Sequence, residues 1–200
     1  TEEALSPKQV EIIQMCLSAS NRMLTLINSI LDLARLESGQ MPLQRAQIGV
    51  ESVVTASIEA LALWATQRNV TLSMDLDPDV PIVYADPAVT ERVLINLISN
   101  ALKFSPSGAA VSVRVTPYDA RLAAFSVRDQ GQGIPEEWVE KVFDKFTQAD
   151  VKSHGGRVGT GLGLSFSRLA IEAQGGTIWI DSKLNEGTII TFTLPRASRS

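Results

Sequence analysis

Asn96, Asn100 and Lys103 stand at i, i+4 and i+7 in an otherwise largely apolar segment. On a helix that spacing gathers them on one face, with Val93, Leu94, Leu97, Ile98 and Ala101 opposite to supply a core. Two amides and an ammonium in a row add nothing to packing. An amide oxygen can coordinate Mg²⁺ and a lysine can neutralise phosphate charge; a plain solvated helix face is the alternative. Asp129-x-Gly131-x-Gly133 follows a strand pattern. Its carboxylate can accept a hydrogen bond from an exocyclic amine such as that of adenine, and glycines let a backbone approach a flat ligand. An ordinary strand-to-helix turn would look the same. Gly159-Thr160-Gly161-Leu162-Gly163-Leu164 opens a helix, where free amides and the helix dipole favour an anion. Its spacing matches neither the dinucleotide fingerprint nor the Walker pattern, so a flexible hinge is the alternative. Gly187-Thr188 reads as a hairpin turn with Gly at positive φ. In this order and spacing, the Asn/Lys helix, the Asp-Gly loop and the glycine-rich helix start define one nucleotide site, with a mobile loop over 147–161 between them.

These residues need elements to position them. A long helix over about 5–38 starts at Ser6-Pro7 and stops at Gly39. Val10, Ile13, Leu17, Ser20, Leu24, Ile27, Leu31 and Ala34 form a heptad seam along it, with a second stripe of Met23, Leu26, Ile30 and Leu33 beside it. Two stripes suit a helix bundle better than a two-stranded coiled coil. Residues 40–50 read as a polar connector and about 50–68 as a second helix carrying Val53, Val54, Ile58, Leu61 and Trp64. Strands follow over 70–76 and 82–84, and Asp86-Pro87 opens the Asn/Lys helix, which runs to Phe104. Two more strands lie near 110–116 and 122–128, a short helix at 136–143, a helix at 162–174 ending at Gly175-Gly176, and closing strands at 177–182 and 188–194. The fold class is α+β: a mixed layer preceded by one long bundle helix.

Composition narrows the function. The 200 residues are 44% hydrophobic and 20% charged, with a formal net charge of −4. That balance fits a folded chain and disfavours nucleic acid as a partner. No stretch of about 18 apolar residues offers a membrane span, and the first ten residues do not resemble a secretory leader. The cytoplasm is the expected compartment, for a parent protein that could itself be membrane-anchored. One cysteine, Cys16, allows no intrachain disulfide, and one histidine, His154, has no partners for a triad or metal site.

Nearly the whole chain resembles the catalytic ATP-binding part of a sensor histidine kinase, of the Bergerat fold shared with gyrase, the Hsp90 chaperone and MutL. R-V-L-I-N-L-I-S-N-A-L-K-F-S-P at 92–106 resembles the family's N box. D-Q-G-Q-G-I at 129–134 resembles its first glycine box, F-D-K-F-T-Q at 143–148 its F box, and G-T-G-L-G-L at 159–164 its second glycine box. L-I-N-S-I-L-D-L-A-R-L-E-S-G at 26–39 resembles the second helix of the dimerisation hairpin. The resemblance implies a two-layer α/β sandwich over 41–200, its mixed sheet covered by helices on one face, after an incomplete hairpin over 1–40. It implies ATP and Mg²⁺ as cofactors, with Asn100 on the metal and Asn96 assisting at metal and phosphates. Lys103 would contact a phosphate, Phe104 would flank adenine, and Asp129 would bind its amino group. Gly159, Gly161 and Gly163 would cradle the phosphates, and Gly131, Gly133, Ile134, Arg157, Thr160, Leu162 and Thr188 would complete the nucleotide-binding set. Residues 147–160 would form a lid whose start Phe143 and Phe146 anchor. Implied partners are a second copy, through the dimerisation helices, and a response-regulator receiver; the F-T-Q-A-D run is common in hybrid kinases.

Two departures stand out. Nothing resembling the family's phosphoacceptor H-E-x-R-T-P segment occurs in these residues, and His154 falls in the lid. In the lid, Val158 replaces the first of the paired glycines, leaving Arg157 or Lys152 to supply phosphate charge. A hydrolase of the gyrase, chaperone or MutL kind would need a Glu four residues before Asn100; Asn96 stands there and cannot serve as a base. A non-catalytic nucleotide-sensing and dimerisation module is the remaining alternative.

Overall fold

Helix α1 (Pro7–Glu37) starts with a capping box: the Gln9 N–H donates to Ser6 Oγ at 3.3 Å and the Ser6 N–H to Gln9 Oε1 at 2.8 Å. The computed structural model describes residues 5–147 and 161–197. Ser38 caps α1, and Gly39 turns the chain with φ +66°. The apolar residues of α1 divide between two destinations. Leu33 and Leu36 are buried in the main core, whereas Val10, Ile13, Leu17, Leu24, Ile27 and Leu31 of the heptad seam remain exposed.

The connector holds a short strand that its sequence did not show, β1 (Ala46–Gly49). Four residues are too few for a readable alternation. The expected helix over 50–68 is two helices, α2 (Val50–Glu59) and α3 (Ala62–Gln67). A straight helix would point Trp64 about 120° away from Ile58. After the break at Ala60-Leu61, both side chains pack against the core. The expected helix at 136–143 is a pair of 3-10 turns, Glu136–Trp138 and Lys141–Phe143, closed by i to i+3 bonds. The 3-10 helix is used in such short pieces, as connectors between longer elements.

Strands β2 (Thr71–Leu76), β4 (Ala110–Pro117), β5 (Leu122–Arg128), β6 (Ile178–Lys183) and β7 (Gly187–Pro195) form a sheet of order β2-β4-β5-β7-β6. The β2–β4 pair is parallel and the others antiparallel. A separate antiparallel pair joins β1 to β3 (Ile82–Ala85). Helices α2, α4 (Pro87–Phe104) and α5 (Gly163–Ala173) cover one face of the large sheet. On that face Phe125 and Phe192 lie directly opposite each other, fully buried, with rings stacked 4.9 Å apart. The other face is polar: Ser126 and Thr191 hydroxyls meet at 3.0 Å, and Arg114 pairs with Asp75 at 2.8 Å. The two-layer sandwich follows from this one-sided polarity. No helix among the described residues is long and apolar enough to cross a membrane.

Asp86 knots three segments together. Its Oδ1 accepts from the Val89 N–H at 3.1 Å and caps α4. Its Oδ2 accepts from the Gln44 N–H of the connector at 2.7 Å, and its own N–H donates to Gln174 Oε1, at the end of α5, at 2.7 Å. Replacing Asp86 by Ala removes the cap and leaves the Gln44 amide unpaired. We expect Asp86→Ala to lower unfolding free energy by about 2–3 kcal/mol, read as a lower denaturant midpoint at unchanged slope.

Candidate nucleotide-binding site

The four apolar positions Val93, Leu94, Leu97 and Ile98 are fully buried, which fixes the rotation of α4 and turns Asn96, Asn100 and Lys103 the other way. Asn96 lies against the start of α5. Its Nδ2 donates to Ser167 Oγ at 2.8 Å, and that hydroxyl donates to the Gly163 carbonyl at 3.0 Å. A Cβ at position 163 would collide with Asn96 Oδ1, so glycine is what lets α4 and α5 touch here. Asn100 is half-buried one turn further along. Lys103 brings its ammonium 4.5 Å from the ring centroid of Phe104, which is 48% exposed. Burial lowers the Lys103 pKa from its ordinary value. Arg68 donates to the Lys103 carbonyl at 3.0 Å and so holds the last turn of α4.

Asp129, at the end of β5, is buried, and its Oδ1 accepts from the N–H groups of Gly131 at 2.7 Å and Thr188 at 3.2 Å. Burial raises its pKa above the ordinary carboxylate value, and the two N–H bonds oppose that rise. Gly131 lies so close to the end of α4 that a Cβ would stand 2.7 Å from the Phe104 carbonyl oxygen. The Asp-Gly loop therefore abuts the Lys103-Phe104 turn. Gly133 (φ +71°) presses on the Lys183 carbonyl.

The β6–β7 hairpin is the template for that loop. The Asp129 N–H donates to the Thr188 carbonyl at 2.9 Å, and the Asn185 N–H donates to the Gln132 carbonyl at 2.7 Å. Gly187 has the expected positive φ, +93°. Ser182, which the sequence did not single out, accepts from the Ile134 N–H at 2.8 Å and reaches both Gly187 and Thr188. In β6 it occupies an ordinary alternating position, so only the fold reveals it. Arg92 was likewise passed over: its guanidinium stacks 3.9 Å from the Phe166 ring centroid on α5 and pairs with Asp32 of α1.

Gly161 (φ +69°) accepts through its carbonyl from the Phe146 N–H at 3.0 Å, Leu162 is buried, and Gly163 begins α5. Phe143 is buried and Phe146 is exposed. Arg157, Gly159, Thr160, His154 and nearly all of the expected lid lie outside the described residues. Within the described residues the structure brings Asn96 against Gly163 at one place on α4, and Lys103, Phe104, Gly131, Asp129 and Thr188 together at its C-terminal end. Among them no cluster of three His, Cys, Asp or Glu side chains could bind a metal alone. A divalent cation here would take an amide oxygen together with oxygens of a phosphate ligand and water, a donor set that suits Mg²⁺.

Residues 85–198 match the family described as histidine kinase-, DNA gyrase B- and HSP90-like ATPases. The circadian input-output histidine kinase CikA of Synechococcus elongatus is 35% identical over 193 residues, covering 96% of this chain and 26% of the relative. The sensor histidine kinase WalK of Bacillus subtilis is 34% identical over 96% of this chain and 31% of its own length. The chain thus spans about a quarter to a third of these curated relatives. The crystal structure of full-length ShkA in complex with AMPPNP superposes with a TM-score of 0.88 at 24% identity, over 99% of this chain and 41% of that one. This last likeness is one of fold.

The raised pKa of Asp129 has a definite sign. A carboxyl whose folded value exceeds its unfolded value favours folding below the unfolded value, and that contribution is lost as pH rises through the folded one. Relative to wild type, Asp129→Asn should therefore gain stability as pH climbs from the ordinary value of 3.8 through the raised one, then level off. Thermal melts across that window read the difference.

Proposed function

This chain belongs to the histidine kinase-, DNA gyrase B- and HSP90-like ATPase family, and we propose that it is the ATP-binding catalytic fragment of a two-component sensor histidine kinase. In this reading residues 41–200 are the catalytic domain and residues 1–40 the second helix of a dimerisation hairpin. The observation that carries it is Asn96. The position where a hydrolase of the fold keeps a carboxylate base holds an amide, whose nitrogen is already engaged by Ser167 at 2.8 Å. An amide cannot take a proton from water, so the site suits transfer to an acceptor that is nucleophilic by itself.

Bound Mg-ATP supplies the γ-phosphoryl group, and the cation offsets the charge on its oxygens. The protein's part is to bind and orient. Asp129 accepts from the base amino group, Thr188, Ile134, Gly131 and Gly133 border the base, and Phe104 flanks it. Asn100 holds the metal through its amide oxygen, with Asn96 beside it. Lys103 neutralises phosphate charge, as do the amides of Gly161, Leu162 and Gly163 at the head of α5; phosphate contacts are also assigned to Gly159, Thr160 and Arg157, which lie outside the described residues. The acceptor histidine lies outside these 200 residues, and the phosphoryl group passes from it to an aspartate of a response-regulator receiver. The exposed heptad seam of α1 suits a second copy of the chain. The compartment is the cytoplasm, and no nucleic acid or membrane contact is assigned to these residues.

Titration calorimetry with a non-hydrolysable ATP analogue tests the reading. Binding should require Mg²⁺, and Asp129→Asn should weaken it about ten- to hundredfold, the worth of a hydrogen bond to a charged group. Asn100→Asp should change the Mg²⁺ dependence. Absence of binding by a folded sample would favour a signalling module without catalysis. Joined to a helix bearing the family's histidine segment, the chain should incorporate phosphate from ATP in an acid-labile, base-stable form.

A further inference from the structure

One serine hydroxyl ties the end of the Asp129 loop to the β6–β7 hairpin. Ser182 Oγ accepts from the Ile134 N–H at 2.8 Å, lies 3.0 Å from the Gly187 carbonyl, and lies 2.9 Å from Thr188 Oγ1. A hydroxyl has one hydrogen and two acceptor positions. The Ile134 amide takes one acceptor position. The Gly187 carbonyl cannot donate, so it takes the hydrogen. What remains for Thr188 is the second acceptor position, and Thr188 must donate into it. Its hydrogen is thereby committed to Ser182, and Thr188 Oγ1 offers only lone pairs elsewhere.

Thr188 is 7% exposed and its N–H is bonded to Asp129 Oδ1. Two groups side by side, an ionised carboxylate and an oriented threonine oxygen, are then both acceptors. An exocyclic amine has two N–H donors and matches them. An oxo group in the same place sets lone pairs against lone pairs, and an unmatched polar contact of this kind is where recognition sites discriminate most. We propose that Ser182 is a specificity-determining residue that holds the Thr188 hydroxyl in its acceptor orientation, so that the site selects a 6-amino purine over a 6-oxo purine. This deepens the nucleotide-binding reading above and rests on it.

The test is calorimetry of the whole chain with ADP and with IDP, whose bases differ at that position. Wild type should prefer ADP. In Ser182→Ala the Thr188 hydroxyl is released and can donate to an oxo group, so the ADP to IDP affinity ratio should fall about three- to tenfold, the range of a single hydrogen bond. A loosened loop alone would weaken both nucleotides equally and leave the ratio unmoved. Ser182→Thr keeps the hydroxyl and should keep the ratio. Thr188→Val removes the oriented oxygen and should also lower the ratio, and adding Ser182→Ala to it should lower the ratio no further. If Ser182→Ala does not fold, Thr188→Val decides alone, and an unchanged ratio there overturns the proposal. An unchanged ratio in folded Ser182→Ala overturns it too, even where wild type binds ADP and Asp129→Asn does not. Failure of wild type to bind either nucleotide overturns the site reading and this inference with it.

Discussion

A carboxylate taken out of water is unfavourable unless the protein supplies the hydrogen bonds that water gave up. Asp129 is 8% exposed, and the loop and hairpin around it are arranged to meet that demand. One donor is two residues on, at Gly131, and the other is on the far hairpin, at Thr188. The loop must therefore fold back sharply over its own aspartate, and the hairpin must run beside the loop in one register. The loop and hairpin meet through main-chain bonds on both sides, Asp129 to Thr188 and Asn185 to Gln132. A side chain at Gly187 would meet the Asp129 carbonyl. The residual effect of burial is the raised pKa, which means the ionised form is held at some expense to stability.

The region around Asn96 obeys a different constraint, the close approach of two helices. Fully buried side chains of α4 set its rotation, and Gly163 lets α5 begin directly against Asn96. The Asn96–Ser167–Gly163 chain of hydrogen bonds then fixes the amide in place. An amide so held is a poor reservoir for protons and a good rigid dipole, which is what positioning without hydrolysis asks for.

Much of this was legible before the fold was known. The i, i+4, i+7 spacing of Asn96, Asn100 and Lys103 needs only helical geometry, and Asp86-Pro87 marks the start of that helix by capping chemistry. The strands near 110–116, 122–128 and 188–194 were equally expected, and β4, β5 and β7 stand there. What escaped were features whose signal is not local. Strand β1 exists because β3 pairs with it, and four residues carry no period. The break between α2 and α3 has no glycine or proline to announce it; it follows from where Trp64 must point to reach the core. Ser182 meets Ile134 from 48 residues away and Arg92 meets Asp32 from 60 residues away, contacts that no local window along the chain shows.

Arg92 shows why such distant contacts matter to the site. It lies one turn before Asn96 on α4, stacks on Phe166 in α5, and pairs with Asp32 in α1. A second ion pair, Lys145 with Glu37 at 2.5 Å, joins the end of α1 to the segment after Phe143. Both pairs are partly exposed, so each contributes little stability alone. Their placement is more telling than their strength, since they flank the buried Leu33 and Leu36, where α1 joins the main core. The helix thus has two faces with different obligations: a docked face read by the nucleotide-binding layer, and an apolar seam turned away from it. Any partner that takes the seam acts on a helix whose other side already touches the helix beginning at Gly163.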